Sequence, residues 1–416
     1  MKFEFISNAC GIFYSSKGTK ILCDPWVEDK IFDGSWYNYP PLKTKIKDLQ
    51  DVDAIYLSHI HPDHYDERNF NFPKNLPIIL LNEGPNFLKK NLEKKGYKNF
   101  IEVKDKETRK FKEFEITLYK PFTKHIYEES LLGNLIDSAI ALRENDIVAI
   151  NFNDNTPDER ACVEINNKFK NIHLALMNYN AAGPYPSCFD NLSKVEKKIE
   201  HSRILKRNFD HLCKTIPLLK PKSVLPFAGA YVIGGKNFEK NEYLGTTTWD
   251  DCAEYLIKNL KFKTNIFCLM ENQIFDLIKL ERVGDYKKIK KEDMIDYINK
   301  IKSEKYDYEF DANPDEEKLE KDIEIAKTRL NERSNKFNVD LKSNVFLDFN
   351  GKKIKILDGK IKDQNLICSM DNRLLRRILD KKSHWNNAEI GTHISFKRSP
   401  NKMDPDVHTL LSFFHI

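Results

Sequence analysis

The stretch LSHIHPDHYD, residues 57–66, limits what this chain can be more than any other feature. It places His59, His61, Asp63 and His64 within six positions, although the 416 residues include only 11 histidines. The preceding run, DAIY, is apolar and predicts a buried strand, so the polar side chains begin where that strand ends. A turn at the end of a strand lets neighbouring side chains converge on one point.

The residue types in this stretch are those of a metal site. Imidazole nitrogen and carboxylate oxygen are preferred ligands of zinc and iron, and residues 59 and 61 share one face of an extended chain. We therefore expect His59 and His61 to bind one metal, and Asp63 and His64 to turn towards a second. The alternative is a polar loop whose histidines cap a following helix.

The pattern H-x-H-x-D-H after an apolar strand resembles the signature of the metallo-β-lactamase superfamily. The resemblance implies an α/β fold, the αββα sandwich, with metals at one edge of two sheets and further ligands on later loops. It implies that His125, just after the run FEITLY, is the third histidine of the first metal. It also implies that Asp154, at the end of DIVAINFND, bridges both metals. A surface histidine and an ordinary turn aspartate are the alternatives.

The last histidine of the superfamily has no counterpart in this sequence. It usually ends a still later strand, and Phe227 in KSVLPFAGAY occupies that position here. Asp63, His64 and Asp154 would then hold the second metal, with water, substrate or another residue in the fourth place. His201 and His211, both within a long helical pattern, are candidate substitutes.

Several other stretches resemble the metallo-β-lactamase portion of CMP-N-acetylneuraminate hydroxylases: SNACGIFY, CDPW, LALMNYNAAGPYP, LPFAGAYVIGG and WNNAEIGTHISFKRSPN. Members of that family share the Pro-Phe-Ala-Gly stretch, so the missing histidine is implied to be a feature of the lineage. They also carry an N-terminal Rieske domain that delivers electrons, whereas we expect this chain to begin directly with the β-lactamase-like part. An open position on iron suits dioxygen activation, so the resemblance favours oxygenase chemistry.

The same stretches contain candidate substrate-binding residues, namely Asn178, Tyr179, Asn180 and Tyr231. The first three precede the small-residue turn AAGPYP, where backbone and amide donors can approach a ligand. Tyr231 lies just past the PFAG turn. A purely structural role is the alternative for each. Four residues near the C-terminus are expected either to pack over the metal cleft or to serve the core: His384, Trp385, His393 and Arg398.

The eight cysteines of the chain are scattered, and none is followed by a histidine two or three positions later. The Cys-x-His and Cys-x-x-His pairs of a Rieske iron–sulfur centre are therefore missing from this sequence. We expect no Rieske cluster in this chain, so an oxygenase of this type would need an external electron donor.

Charge and hydropathy narrow the class of partner. Charged residues make up 31% of the chain and nearly cancel to a net charge of +5, without one dense basic tract, which disfavours nucleic-acid binding. The N-terminus has no signal-peptide pattern, and no window offers about 18 uninterrupted apolar residues. We expect a cytoplasmic protein with reduced thiols that acts on a small molecule and binds no membrane.

Three segments follow from the pattern of runs. Residues 1–247 are strand-rich and predict the metal-binding domain. Residues 248–340 are charged and predict helices, including one that begins near Pro314. Residues 341–416 return to strand-like runs around a helix and predict a smaller α+β C-terminal module.

Two enzyme functions are compatible with these residues. The resemblance along the chain favours a dinuclear non-haem iron oxygenase that acts on a small polar metabolite, with a sugar or sugar nucleotide suggested by the family. The superfamily motif alone favours a zinc hydrolase of a phosphoester, ester or amide. In either case two metal ions are expected, iron before zinc, with Asp63 and Asp154 as catalytic carboxylates. A metal-stabilised binding protein is the third alternative.

Overall fold

The alternating runs near the N-terminus form a β-sheet in the computed structural model, which describes residues 1–123 and 137–416. The strands of this first sheet are β1 (Lys2–Ser7), β2 (Cys10–Tyr14), β3 (Lys20–Cys23), β5 (Ala54–Tyr56), β6 (Ile78–Leu81), β7 (Phe100–Val103), β16 (Gln273–Asp276) and β17 (Glu281–Val283). Their order is β17-β16-β1-β2-β3-β5-β6-β7. From β3 to β7 the strands run parallel, so their carboxyl ends share one edge.

A second sheet completes the sandwich. Its strands are β8 (Thr108–Phe111), β9 (Phe114–Tyr119), β10 (Ala139–Glu144), β11 (Ile147–Asn151), β12 (Ile172–Asn178), β13 (Ser223–Phe227) and β15 (Asn265–Ile266), in the order β15-β13-β12-β11-β10-β9-β8. Because β11, β12 and β13 are parallel, their carboxyl ends also meet at one edge. A short ribbon of β4 (Trp36–Asn38) and β14 (Tyr231–Ile233) lies apart from both sheets.

The core between the sheets follows from the period of two in the strands. Phe3 and Phe5 of β1 lie in one buried cluster with Tyr56 of β5 and with residues of the second sheet. Ile6 follows Phe5 and Ile55 precedes Tyr56. Both belong to a separate cluster on the other face of the first sheet.

Helices cover the outer faces of the two sheets. On the first sheet lies α1 (Phe87–Lys94), whose Leu88 and Leu92 are buried. On the second lie α2 (Glu159–Phe169), α3 (Lys194–Leu219) and α4 (Trp249–Asn259), whose apolar stripes join the main core. The layers are therefore helix, sheet, sheet and helix, and the predicted αββα sandwich is confirmed.

The segment predicted as charged and helical, residues 248–340, is more mixed than its sequence indicated. It contains α4, α5 (Lys291–Ile301) and α6 (Glu316–Lys336), but also β15, β16 and β17, which complete both sheets of the sandwich. These strands have only two to four residues each. Runs that short leave little periodicity to detect in a Lys-rich context.

The predicted C-terminal module, residues 341–416, provides most of a second core, to which Cys188, Phe189, Tyr306 and Tyr308 also belong. Its sheet contains β18 (Asn344–Phe349), β19 (Lys352–Leu357), β20 (Asn365–Ser369) and β21 (Ser395–Ser399), in the order β19-β18-β20-β21. Its helices are α7 (Asn372–Leu379), α8 (Trp385–Ile390) and α9 (Pro405–Leu411). One stripe of α6 packs onto this core through Leu319, Ile323 and Leu330, while the charged side of α6 faces solvent.

A turn with a strained backbone, residues 30–33, lies where the sandwich contacts the C-terminal module. Lys30, Phe32 and Asp33 all have positive φ angles between 50° and 68°, a region that non-glycine residues seldom occupy.

Among the helices of the described residues, none is both long and apolar enough to cross a lipid bilayer.

Candidate metal centre

The predicted ligands gather at the edge where parallel strands of both sheets end. Ser58 and His59 follow β5, and Asp154 follows β11 on the opposite sheet. The two sheets are joined here, because the backbone N–H and the hydroxyl of Ser138, before β10, both donate to the carbonyl of Ser58. Side chains from separate strand ends are thus brought to one place by the fold.

His64 has the environment expected of a metal ligand. It is fully buried, and its Nε2 has no hydrogen-bond partner among the described residues. That atom lies 3.4 Å from Asp63 Oδ2 and 3.6 Å from Asp154 Oδ2. Two ligands that each bind a cation at about 2.1 Å are about 3.0 to 3.5 Å apart. Asp63 and Asp154 therefore both approach the nitrogen of His64 that would bind a cation.

His59 and His61 form the neighbouring pair. His59 Nε2 lies 2.9 Å from His61 Nδ1, and their rings are nearly perpendicular. His125, expected as the third ligand of this pair, lies outside the described residues, and so does the rest of 124–136. Its role stays a prediction.

The two predicted ligand sets form one continuous cluster. His59, His64 and Asp154 each offer a ligand atom within 4.8 Å of the others, although the sequence assigned His59 to a different metal from the other two. The rings of His59 and His64 are only 4.1 Å apart. How the ligands divide between two cations therefore stays a prediction.

A buried aspartate holds His64 from behind. Asp24 Oδ2 lies 2.9 Å from His64 Nδ1, and the same carboxylate accepts hydrogen bonds from the backbone N–H and the hydroxyl of Ser58 at 2.8 and 2.7 Å. Nδ1 of His64 thus donates its proton to Asp24, and Nε2 is the nitrogen that faces the other carboxylates. A carboxylate behind a histidine is a common support for metal ligands, since it fixes the tautomer and raises basicity.

Asp137 is a buried carboxylate next to the cluster, and it was not among the predicted ligands. Its Oδ1 lies 3.4 Å from His59 Nδ1, and its side chain is 3% exposed. Burial first, and the nearby Asp154 second, raise the pKa of Asp137 well above its ordinary value. The only sequence signal was an aspartate directly before the apolar strand run SAIAL.

Asn8 connects Asp63 to the PFAG turn. Its Nδ2 donates to Asp63 Oδ2 at 3.4 Å, and its Oδ1 accepts from the backbone N–H of Ala230 at 3.0 Å. The carbonyl of Asn8 also accepts from Ala228, whose φ of 53° gives the turn its tight bend. The stretches SNAC and PFAG therefore support one ligand together.

The protonation states of the two buried histidines, His59 and His64, show how the cluster would receive a cation. Burial first, and then His64 and His61, lower the pKa of His59 well below its ordinary value, so its imidazole is neutral. Burial also acts to lower the pKa of His64, yet the carboxylates around it, Asp63 foremost, raise it well above that value. A cation would replace this proton among the carboxylates.

Phe227 and the two helical histidines lie away from the ligands. The Phe227 ring packs edge-on against Phe3 and Phe5, at centroid distances of 5.8 and 6.0 Å, within the core between the sheets. His211 Nε2 donates to the carbonyl of Pro157 at 2.9 Å, and His201 is hydrogen-bonded to the carbonyl of Leu244. Neither histidine belongs to the described cluster, so neither takes the place of the missing ligand there.

The four candidate substrate residues separate into two pairs. Asn178 Nδ2 donates to Asp154 Oδ1 at 2.9 Å, and the buried hydroxyl of Tyr231 has no described partner. Tyr179 is 1% exposed within the core, because consecutive strand residues point to opposite faces. Asn180 binds the carbonyls of Gly229 and Thr247 and so holds two loops together. Tyr179 and Asn180 thus have structural contacts, and a role in substrate binding stays a prediction for all four residues.

Tyr231 lies at the border of the cluster. Its ring stacks on Trp36 at a centroid distance of 3.3 Å, with an angle of 6° between the planes. Burial first, and then Asp63, raise the pKa of its hydroxyl. The hydroxyl therefore stays protonated and is available as a donor.

Comparison with known proteins supports the resemblance and limits what can be taken from it. No family model matches the chain. A Mycolicibacterium smegmatis protein named as a Rieske 2Fe-2S iron-sulfur protein is 27% identical over 224 residues, 53% of this chain and 42% of that protein. A Mycobacterium tuberculosis protein of the same name is 26% identical over 231 residues, with the same shares. The chain thus spans less than half the length of these relatives.

Solved structures that are similar to the chain include two enzymes of different chemistry. CmlA, a diiron beta-hydroxylase from Streptomyces venezuelae, is 13% identical with a TM-score of 0.42, over 64% of this chain and 53% of that one. Isothiocyanate hydrolase from Delia radicum gut bacteria is 16% identical with a TM-score of 0.44, over 66% and 98%. Likenesses this distant leave the reaction open, and the fold is established by the sheets and layers described above.

Proposed function

We propose that this chain is a metal-dependent oxygenase whose buried histidine and aspartate cluster holds two cations, iron in preference to zinc. The observation that carries the proposal is the triad of His59, His64 and Asp154. Two histidines and one carboxylate with open positions are the ligand set typical of non-haem iron oxygenases. Bound iron would supply the activation of dioxygen.

The unpartnered Nε2 of His64 supports a resident cation. Asp63 and Asp154 approach the same atom from two sides. These carboxylates hold a positive charge on His64 in the metal-free chain, and a bound cation would take the place of that charge.

The position of Phe227 supports iron over zinc. With the Phe227 ring in the core and with His201 and His211 bonded to backbone carbonyls, the part of the cluster around His64 is rich in carboxylates. A mixed set of imidazole and carboxylate ligands with open positions suits non-haem iron, whereas closed zinc sites use four protein ligands, most often cysteine and histidine.

We place the electron donor outside this sequence. All eight cysteines are unpaired, and no Cys-x-His or Cys-x-x-His pair is available for a Rieske centre. The similarity to proteins named as Rieske iron–sulfur proteins supports a donor of that class, on a separate protein or domain. The unpaired cysteines also support a cytoplasmic location.

The chain's own polar groups define a role for each side of the site. Asn178 fixes Asp154 through one carboxylate oxygen and leaves the other towards His64. Asp154 is 28% exposed at its side chain, so a substrate would enter from this side. The Tyr231 hydroxyl is a donor for a polar substrate, which supports a small polar metabolite, and we take a sugar or sugar nucleotide as the first class to test.

The test begins with the metal content of protein purified without added metal. We expect iron with a ferric absorption spectrum. Iron-loaded protein should consume dioxygen only when a reductant and a substrate from a sugar-nucleotide panel are both present, and zinc-loaded protein should consume none. Stoichiometric zinc, together with no oxygen uptake by the iron form, would refute the proposal.

A zinc hydrolase is the second candidate, and the state of Asp63 favours it. Burial acts to raise the pKa of Asp63, but His64 outweighs burial and the pKa is lowered, so the carboxylate is ionised and can accept a hydrogen bond that orients an attacking water. Bound zinc would supply Lewis-acid chemistry. Anaerobic turnover of a model ester or phosphodiester by the zinc form, lost in His59→Ala, would establish this candidate in place of the oxygenase.

A further inference from the structure

The C-terminal module reaches the metal cluster at one residue, Asn386 of α8. Asn386 Oδ1 lies 2.8 Å from His61 Nε2, a contact between residues 325 positions apart in the chain. The sandwich supplies the ligands themselves, but this support for one of them comes from a different core.

Asn386 determines which nitrogen of His61 can bind a metal. An amide oxygen only accepts, so His61 Nε2 must carry the proton and donate it to Asn386. His61 Nδ1 is then left with its lone pair, and it faces His59 Nε2 at 2.9 Å.

The partners of His59 set the complementary tautomer. His59 Nδ1 lies 3.0 Å from Ser58 Oγ, whose own proton is donated to Asp24, so the proton of His59 belongs on that side. The lone pairs of His59 Nε2 and His61 Nδ1 therefore point at each other. Such an arrangement is repulsive until a cation lies between the two nitrogens.

The helix that carries Asn386 is firmly held by the C-terminal module. Trp385 is 1% exposed and packs edge-on against Phe414, and its Nε1 donates to Glu389 at 2.8 Å. His408 Nδ1 also lies 3.0 Å from that carboxylate. The backbone that carries Asn386 is therefore fixed to the module, and its position relative to His61 depends on how the module docks.

A second contact ties the same helix to the border of the cluster. Trp36 Nε1 donates to the carbonyl of Ile390 at 3.2 Å, and the Trp36 ring stacks on Tyr231. Both ends of α8 thus touch groups that adjoin the metal site.

We propose that Asn386 is a positioning residue for His61, and that metal binding is thereby coupled to docking of the C-terminal module on the sandwich. The proposal rests on the metal site proposed above but not on its reaction. Coupling between two events is reciprocal. The docked module must therefore strengthen metal binding, and bound metal must strengthen docking by the same factor.

The first arm of the test measures affinity for Co²⁺ by competition with a chelator. Asn386→Leu keeps the approximate size of the side chain and removes the acceptor, and loss of such a support weakens metal binding by about 10- to 100-fold. Asn387→Leu, one residue along the same helix, should bind as the wild type does. Asn386→Asp, which restores an acceptor, should regain wild-type affinity or exceed it, and the visible Co²⁺ spectrum should return with it.

The second arm needs no variant. Amide hydrogen exchange across residues 385–390 should slow when Co²⁺ is added to the wild-type protein, and α1, on the far side of the first sheet, should be unaffected. Equal affinity in folded Asn386→Leu, or unchanged exchange in α8 on metal binding, would each overturn the proposal.

These outcomes are separate from the test of the reaction. Asn386-dependent Co²⁺ binding without oxygen uptake or hydrolysis would reject only the proposed function. A wild-type chain that binds no metal would reject both.

Discussion

The proposed metal cluster has two halves, which are supported from different parts of the molecule. In the first, here the sandwich half, His64, Asp63 and Asp154 are held by side chains of the sandwich, among them Asp24 and Asn8. In the second, the interface half, His59 and His61 depend on Asp137, at the start of β10, and on Asn386 of the C-terminal module.

The supports also differ in charge and burial. Asp24 is a fully buried carboxylate that can raise the basicity of His64, whereas Asn386 is a neutral amide that only fixes the tautomer of a partly exposed His61. The sandwich half is therefore built once the sheets fold. The interface half is complete only when the module docks, so it is the half whose affinity can be changed by contacts far away in the sequence.

The largest expected effect comes from removing one histidine from each half. His64→Ala and His61→Ala should each lose one of two bound metals, because each takes away a nitrogen ligand that no described neighbour replaces. Metal-to-protein ratios after gel filtration measure this directly. If His61→Ala keeps its full metal content, the interface half is not a metal site, and the contrast between the halves disappears.

A smaller effect is expected from the buried support of the sandwich half. Asp24→Asn keeps the shape but removes the charge behind His64, and should weaken metal binding by about 10- to 100-fold. Asp250→Asn is the matched control, since Asp250 is also buried and hydrogen-bonded, to Tyr286 and to the backbone of Ile289. Chelator competition gives both affinities. Equal losses in the two variants would mean that the effect is one of general stability.

Much of this arrangement could be read from the sequence, because spacing determines it locally. The ligands in 59–64 follow from a histidine-rich turn at the end of an apolar strand. The stretches chosen by resemblance each contribute one support: SNAC supplies Asn8, CDPW supplies Asp24, MNYN supplies Asn178 and WNNAEIG supplies Asn386.

What the sequence could not supply depends on pairing between distant segments. Asp137 lies near His59 because its neighbour Ser138, just before β10, is hydrogen-bonded to Ser58 of the other sheet. The strands β15, β16 and β17 are too short to be recognised until their partners are known. The role of Asn386 likewise needs the docked module, since nothing near it in the chain indicates His61.

The docking contact at His393 should make the interface half sensitive to acid. His393 Nε2 donates to the carbonyl of Phe32 at 2.8 Å, and Tyr308 OH lies 3.2 Å from its Nδ1. Burial lowers the pKa of His393 to about 3. The unfolded chain therefore binds the extra proton first, and stability should fall as pH drops below about 6.5, by up to about 1.4 kcal/mol per pH unit.

Denaturant unfolding of metal-free protein between pH 7 and pH 5 measures this slope. His393→Gln keeps a donor and an acceptor but cannot titrate, so its unfolding free energy should fall less with acid than that of the wild type. Parallel curves for the two proteins would exclude His393 as the source of acid sensitivity in the docked module.

The smallest expected effect is of opposite sign and comes from Asp33 in the strained turn. Its carboxylate accepts from the Ser383 hydroxyl and lies 3.8 Å from Arg377, both of the C-terminal module. Burial raises the pKa of Asp33 to about 6, although Ser383 acts to lower it. Between its ordinary value and pH 6 the folded state holds the proton more tightly than the unfolded chain does, so stability is lost as pH rises through this window.

Asp33→Asn cannot ionise, and asparagine tolerates the positive φ at this position. Relative to the wild type, the variant should gain about 1 kcal/mol in unfolding free energy on going from pH 5 to pH 7. The comparison of the two pH values cancels any constant effect of the substitution. If the variant gains no unfolding free energy, or loses some at pH 7, ionisation of Asp33 does not destabilise the folded state. In that case, of these two groups, only His393 makes docking of the module depend on pH.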